Sequence, residues 1–151
     1  MTVDEALVFF NGIKKVTNKL QALADVGLGY VALGQPSSML SGGEAQRVKL
    51  ATYIDAETAS RTLFIFDEPT TGLHLDDISK LLQCFRKLVE KGHSVVIIEH
   101  NLHVIASADY IIDLGPEAGE KGGYLVASGT PETVAKSKKS LTGKALREFL
   151  K

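Results

Sequence analysis

Two adjacent carboxylates follow a short apolar run in the middle of the sequence. Residues 63–66 are apolar, Asp67 and Glu68 come directly after them, and Pro69 follows. At the exit of a buried strand, one carboxylate can hold Mg²⁺ while the other polarises or deprotonates a water that attacks a phosphate. Acids that merely end a strand and enter a turn produce the same pattern, so this segment alone favours neither interpretation.

A glycine-rich segment at residues 40–47 reads LSGGEAQR. Ser41 and Glu44 have the spacing of a capping box, in which each side chain accepts a hydrogen bond from the other residue's backbone at a helix start. Because glycine permits close backbone approach and a helix start offers free N–H groups, Gly42 and Gly43 could bind a phosphate. The alternative is a capped helix with a glycine-rich entry and no ligand.

A histidine, His100, lies just beyond a second apolar run at residues 95–98. The helix predicted between the two runs makes a strand, a helix and a strand, which indicates parallel strands joined by a right-handed crossover. Glu68 and the pair Glu99-His100 then lie at the carboxyl edge of the sheet, where open parallel sheets bind ligands. A single histidine in this position is nevertheless more often a packed or surface residue than a catalytic one.

The elements that position these residues are predicted from hydrophobic spacing and from residues that start or stop helices. The predicted helices lie after the capping box of Thr2 and Glu5, over residues 13–26 before Gly27 and Gly29, from Ser41 to about Ala59, over 76–91, over 101–106, after Thr130-Pro131, and over 141–150. The predicted strands are 63–66 and 95–98, both expected to be buried on both faces, then 110–114, and an edge hairpin strand at 124–127 beyond a loop at 115–123.

Composition indicates a globular chain of ordinary make-up. Its 151 residues are 44% hydrophobic and 23% charged, which suits a single domain. With 17 Lys plus Arg against 18 Asp plus Glu, the net charge is -1, so any nucleic-acid contact must be local or lie elsewhere. The single cysteine, Cys84, excludes a disulfide or a paired-cysteine zinc site within this chain and is expected to be buried. Neither a membrane span nor a signal peptide is evident, so a cytoplasmic protein is expected.

Three ordered segments together resemble the ABC-type ATPases. Residues 40–47 are similar to the signature sequence, residues 64–69 to the Walker B strand, and His100 to the switch histidine. Transporter ATPases usually carry an SALD type of segment after Walker B, whereas this chain has TTGLH, which favours the UvrA family. The resemblance to that family's C-terminal nucleotide-binding domain covers nearly the whole chain and includes residues 25–30, 33–36, 48–51, 67–74, 99–102 and 111–116.

The resemblance implies an α/β fold, namely the C-terminal part of a P-loop ABC-type ATPase domain with a mainly parallel sheet, flanking helices and a helical signature region. Residues 1–60 would form the helical signature region, and residues 61–151 the part with Walker B and the switch histidine. It also implies a role for each residue that matches a family motif: Mg²⁺ binding by Asp67, catalysis by Glu68 and His100, and contacts with ATP held by the opposite domain from Ser41, Gly42, Gly43 and Gln46.

The UvrA resemblance implies partners that composition and spacing do not show. They are ATP and Mg²⁺, a second ABC domain, a homodimer partner, UvrB, and damaged double-stranded DNA, with zinc only in the parent protein and no membrane. The parent's Walker A loop, zinc cysteines and UvrB-binding region would lie upstream, so Met1 is expected to be an internal residue.

A phosphate-binding loop is missing from the sequence. No G-x-x-x-x-G-K-[ST] pattern occurs, and the one Gly-Lys pair, Gly143-Lys144, lacks the first glycine. The chain is therefore expected to be part of a larger protein or a degenerate relative, and to hydrolyse no ATP by itself. The alternatives are a nucleotide-binding fragment of an ABC transporter and a non-catalytic interaction module.

Overall fold

A computed structural model of the protein describes residues 1–54, 60–116 and 122–151. Its elements in chain order are α1 (Val3–Phe9), α2 (Lys14–Asp25), a 3-10 helix (Ser37–Met39), α3 (Gly42–Ile54), β1 (Leu63–Asp67), α4 (Leu75–Glu90), β2 (Ser94–Ile98), α5 (Leu102–Ala106), β3 (Ile111–Gly115), β4 (Tyr124–Gly129), α6 (Pro131–Ala135) and α7 (Leu141–Phe149). They form two compact units, Met1–Glu99 and His100–Lys151. The α/β class predicted from the sequence is confirmed.

The predicted start of α1 and the predicted end of α2 are confirmed by their hydrogen bonds. At α1, the Glu5 carboxylate accepts from the Thr2 amide at 2.8 Å, and the Thr2 hydroxyl accepts from the Glu5 amide at 3.2 Å. After α2, Gly27 has φ +75° and the amide of Leu28 donates to the Leu23 carbonyl at 3.0 Å. This closing bond needs a left-handed residue at the helix exit, which glycine adopts without a Cβ penalty.

Strands β1 and β2 are parallel, as predicted, with α4 as the connection between them. Their register runs from Leu63 opposite Ser94 to Asp67 opposite Ile98. One apolar side of α4 packs into the core of this unit, and Cys84 on that side is 1% exposed, which confirms the predicted buried thiol. The core of the first unit comprises Ala22, Val26, Leu28, Leu50, Ala51, Ile54, Phe66, Leu81, Cys84, Phe85 and Leu88.

The prediction that both strands are buried on both faces is wrong. Leu63 and Ile65 are 58% and 64% exposed, and Val96 and Ile98 are 48% and 51% exposed. Phe66, on the opposite face, is only 6% exposed because that face packs against the helices. Successive side chains of a strand point to opposite faces, and within the described residues only one face of this pair is covered. Four consecutive apolar residues therefore gave no information about which face has a partner.

The second unit pairs β3 with β4 in an antiparallel sheet. Ile111 lies opposite Gly129 and Gly115 opposite Tyr124, so the predicted hairpin strand is confirmed and is longer than expected. Thr130 caps α6 with proline at its first position, also as predicted. The predicted loop at 115–123 and the end of the predicted signature helix near residue 59 fall partly outside the described residues.

The last helix packs closely on its neighbours within the second unit. The Asp113 carboxylate accepts hydrogen bonds from the hydroxyls of Ser140 at 2.5 Å and Thr142 at 2.9 Å. Arg147 donates from Nε to the Ala135 carbonyl at 2.9 Å. These bonds join β3, α6 and α7 around a small core of Ile111, Val134, Ala135 and Leu146. Among the described helices, none is both long and apolar enough to cross a membrane.

Candidate functional site

The two acidic side chains lie at the carboxyl end of β1. Asp67 is the last residue of the strand and Glu68 follows it, and both are exposed. The Glu68 amide donates to the Ile98 carbonyl of β2 at 2.9 Å, and the Glu68 carbonyl accepts from the Thr71 amide at 3.2 Å. Glu68 has φ +45°, a left-handed conformation that is uncommon outside glycine. The chain therefore turns sharply at Glu68, which leaves both carboxylates accessible at this edge.

Gln46 of α3 binds the backbone at the end of β1. Its side-chain Nε2 donates to the Asp67 carbonyl at 3.2 Å, and its Oε1 accepts from the Asp67 amide at 3.3 Å. The resemblance to the ABC signature sequence implied that Gln46 contacts the nucleotide, and that role stays a prediction. In the structure, both polar atoms of this amide fix the strand end relative to the signature helix.

Arg47 is a site residue that the sequence prediction missed. It is 1% exposed, and its Nη1 donates to the Pro69 carbonyl at 2.6 Å. Among the described residues, its Nε and Nη2 have no hydrogen-bond acceptor. The sequence did contain a signal that Arg47 is buried. Arg47 lies three and four residues before Leu50 and Ala51, so it shares the helix face of these two buried residues of α3. An arginine on the buried face of a helix must reach an internal acceptor or lie unpaired.

Glu99 and Thr70 form a second contact that the sequence prediction missed. Oε1 of Glu99 accepts from the Thr70 amide at 2.9 Å and from the Thr70 hydroxyl at 2.5 Å. Thr70 is 8% exposed, and Glu99 follows directly after β2. The available signal was that the segments after parallel strands converge at one edge. The turn after the acidic pair is thus bound by the end of the neighbouring strand.

The signature segment begins α3 with the predicted capping box. The Ser41 amide donates to Glu44 Oε2 at 2.7 Å, and the Glu44 amide donates to the Ser41 hydroxyl at 3.2 Å. The Tyr30 hydroxyl donates to Glu44 Oε1 at 2.6 Å. This bond from Tyr30, followed by the one from the Ser41 amide, lowers the pKa of the Glu44 carboxyl. Burial, followed by the bond to Glu44, raises the pKa of the Tyr30 hydroxyl, so Tyr30 remains the donor at neutral pH.

The two glycines of the signature segment have different surroundings. A Cβ placed on Gly42 would meet no atom within 4 Å. A Cβ placed on Gly43 would lie 3.3 Å from Arg47 Nη1 and 3.7 Å from the Glu68 carbonyl oxygen. The amides at a helix start have no acceptor inside the helix, so both glycines can present N–H groups to an anion. Gly43 also packs against the turn that follows Asp67 and Glu68. The signature segment and the acidic pair therefore lie together in one unit.

His100 is the first residue of the second unit and is exposed. It lies between Glu99 and Asn101, and the Asn101 side chain caps α5 by accepting from the His103 amide at 2.9 Å. The cap fixes the backbone direction immediately after His100. Its predicted catalytic role stays a prediction.

Comparisons with known proteins identify the family. The chain is 57% identical over 150 residues to UvrABC system protein A of Clostridium perfringens, covering 99% of this chain. It is 61% identical over 150 residues to the protein of that name from Staphylococcus aureus strain COL, and 60% identical over 151 residues to the one from Aquifex aeolicus. The chain belongs to the UvrA family. It spans only 16% of the length of each of these relatives, and no family model matches it.

Solved structures agree with the assignment to UvrA. The crystal structure of UvrA2 from Deinococcus radiodurans matches with a TM-score of 0.88 and 48% identity, covering 100% of this chain and 19% of that one. A bacterial Atm1-family ABC exporter with ATP bound matches with a TM-score of 0.59 at 22% identity, covering 99% of this chain and 26% of the exporter. The second likeness shows that the ABC ATPase fold is shared, and no more.

The donor set of this UvrA segment suits magnesium. No group of three or more His, Cys, Asp or Glu residues in the described parts of the chain could hold a metal by itself. Mg²⁺ is commonly held by one or two protein carboxylates together with substrate phosphates and water, because it dehydrates reluctantly. The exposed Asp67 carboxylate beside Glu68 fits that type of incomplete site.

Proposed function

We propose that this chain supplies the signature, Walker B and switch-histidine elements of the ATP-hydrolysing site in a UvrA-type DNA-damage-recognition ATPase of nucleotide excision repair. The supporting observation is that α3 binds the end of β1, through Gln46 to Asp67, and the turn that follows it, through Arg47 to Pro69. Asp67 would bind Mg²⁺, and Glu68 would orient or deprotonate the attacking water. His100 would sense the γ-phosphate, and Ser41, Gly42 and Gly43 would contact ATP held by the opposite domain.

The proposal extends to the parent protein of this segment. Residues 1–60 would form the helical signature region and residues 61–151 the remainder of a partial nucleotide-binding domain. The Walker A loop of the parent and a second ABC domain would complete the ATP sites. The partners would be a second copy of the parent in a homodimer, UvrB and damaged double-stranded DNA. The parent would be located in the cytoplasm and would bind zinc outside this segment. These features rest on the UvrABC relatives and on the resemblance. A transporter ATPase is not favoured, because the exporter match is only 22% identical.

The 151-residue chain alone is expected to show negligible ATP turnover. Signature and Walker B residues cannot position a triphosphate without a loop that holds its α- and β-phosphates. Steady-state phosphate release, measured beside a full-length UvrA that carries this segment, tests the expectation. The control is the chain with Glu68→Gln, which reveals any contaminating ATPase. Turnover near that of the full-length protein, lost in the Glu68→Gln chain, would contradict it.

Placing an acid at Gly42 is expected to block hydrolysis only at the composite ATP site that this signature segment completes, that is, the site whose Walker A loop belongs to the opposite domain. The carboxylate of Gly42→Asp would repel the γ-phosphate, and the open space around Gly42 leaves the fold undisturbed. The expected loss of hydrolysis is about a hundredfold, comparable with removing one group that stabilises transition-state charge. The measurement is ATP hydrolysis by mixed assemblies of full-length protein, in which Gly42→Asp is paired with a domain whose Walker A loop is disabled.

The two arrangements of that mixture show whether the signature segment completes an ATP site of the opposite domain or only caps the start of α3. Activity should survive only where an intact Walker A loop faces an intact signature segment. The matched control is Ser38→Asp, which adds the same charge at an exposed residue just before the segment and should leave hydrolysis unchanged. Hydrolysis by a homogeneous Gly42→Asp protein at the parent rate would show that the glycine-rich entry is only a helix cap.

A further inference from the structure

The backbone of Glu68 is held in a conformation that it does not favour. A glutamate at φ +45° places its Cβ close to its own backbone, and such residues persist where the surrounding structure over-determines them. Two backbone hydrogen bonds act directly at Glu68, one from its amide to Ile98 and one from the Thr71 amide to its carbonyl. The first bond joins Glu68 to the end of β2 and the second closes the turn, and neither involves a backbone group of the next two residues, Pro69 and Thr70.

From the side of α3, the turn is held by a buried cation. Arg47 is 1% exposed and donates to the Pro69 carbonyl at 2.6 Å, one residue beyond Glu68. Burying a guanidinium is costly, and a hydrogen bond from a charged donor is stronger than one between neutral groups. Pro69 has no amide hydrogen, so its carbonyl is the only backbone group through which a neighbour can hold it.

From the side of β2, the turn is held by a carboxylate. Glu99 accepts from both the amide and the hydroxyl of Thr70, two residues beyond Glu68. A single carboxylate oxygen that binds both groups fixes the peptide and the side chain of Thr70 together. Consecutive residues of the turn are therefore held from two different elements by side chains of opposite charge.

We infer that Arg47 and Glu99 are positioning residues, which clamp Pro69 and Thr70 and thereby aim the Glu68 carboxylate. The inference rests on the proposed function, because it assigns Glu68 to the chemical step. Neither Arg47 nor Glu99 would touch the nucleotide. Loosening the clamp should move the acid without changing how tightly ATP is bound, so kcat should fall while KM stays the same.

The test is Thr70→Val in a full-length UvrA that carries this segment. Valine keeps the shape and the amide of Thr70 but removes the hydroxyl that donates to Glu99. We expect kcat to fall about tenfold or more with KM within about twofold, since displacement of a reacting group by 1 Å costs up to about a hundredfold. Thr70→Ser restores the hydroxyl and should restore kcat. Thr52→Val, the same substitution at an exposed residue of α3, should leave both constants unchanged.

A second variant tests the clamp from the side of α3. Arg47→Lys keeps the charge but removes Nη1, the atom that donates to the Pro69 carbonyl, and it should also lower kcat more than it changes KM. Circular dichroism melting identifies which variants are folded. A folded Thr70→Val or Arg47→Lys protein with the parent kcat overturns the inference, as does a Thr70→Ser protein that is no better than Thr70→Val.

Glu68→Gln, measured in parallel, separates this inference from the proposed function. If Glu68→Gln is inactive while Thr70→Val has the parent kcat, the clamp is refuted and the role of Glu68 stands. If Glu68→Gln retains the parent kcat, Glu68 is not the base, and the proposed function and the clamp are both overturned. Loss of kcat in both variants, with rescue by Thr70→Ser, supports both.

Discussion

Replacing Glu68 by glutamine in a full-length UvrA protein that carries this segment is expected to slow ATP hydrolysis strongly and to leave ATP binding intact. The amide has the size and shape of the carboxylate but cannot accept a proton from the attacking water. General-base catalysis typically contributes about 10²–10⁴-fold, so kcat should fall by about that factor. Glutamine can occupy the same left-handed backbone position as glutamate, so no change in the fold is expected.

Single-turnover hydrolysis together with equilibrium binding of ATP measures this effect. Asp67→Asn should behave differently, because loss of the metal-binding carboxylate weakens binding in the presence of Mg²⁺ more than in its absence. The matched control is Glu90→Gln, at an exposed glutamate that ends α4, which should match the parent in both measurements. Hydrolysis by Glu68→Gln at the parent rate would show that another group activates the water.

Replacing Gly143 by alanine is expected to destabilise the second unit by about 2 kcal/mol. Alanine favours a helix over glycine by about 1 kcal/mol, which would stabilise α7 if space were available. At Gly143, however, a Cβ would lie 2.2 Å from the Val134 carbonyl oxygen, a backbone atom of α6 that cannot rotate away. Overpacking of this kind costs about 3 kcal/mol, so the clash outweighs the gain in helix propensity.

Amide hydrogen exchange of α6 and α7 measures this loss in the 151-residue chain, because exchange reports the opening free energy of each segment. The control is Lys144→Ala, at the exposed neighbour of Gly143 in the same helix, with an expected change within about 0.5 kcal/mol. Equal protection of α6 and α7 in Gly143→Ala and in the parent would contradict the close packing of these two helices.

Local chemistry predicted most of the element boundaries. The capping boxes at Thr2 and Ser41 involve residues three positions apart, and both form as the spacing indicates. Proline after Thr130 and glycine after α2 act through their own backbone preferences. The parallel pairing of β1 and β2 also followed from the sequence, because a strand, a helix and a strand leave few topologies.

Burial and long-range pairing were decided by the tertiary structure. Apolar runs such as Leu63 to Phe66 show that a strand can be buried, but only the packed helices determine which of its faces is covered. Arg47 reaches a carbonyl 22 positions away, and Thr70 reaches a carboxylate 29 positions away. No local pattern encodes these partners, since a buried charge is stabilised by whichever polar group the fold brings within hydrogen-bonding distance. The sequence by itself thus determined the acidic pair and the helix that faces it, and only the folded chain decided how the turn between them is held.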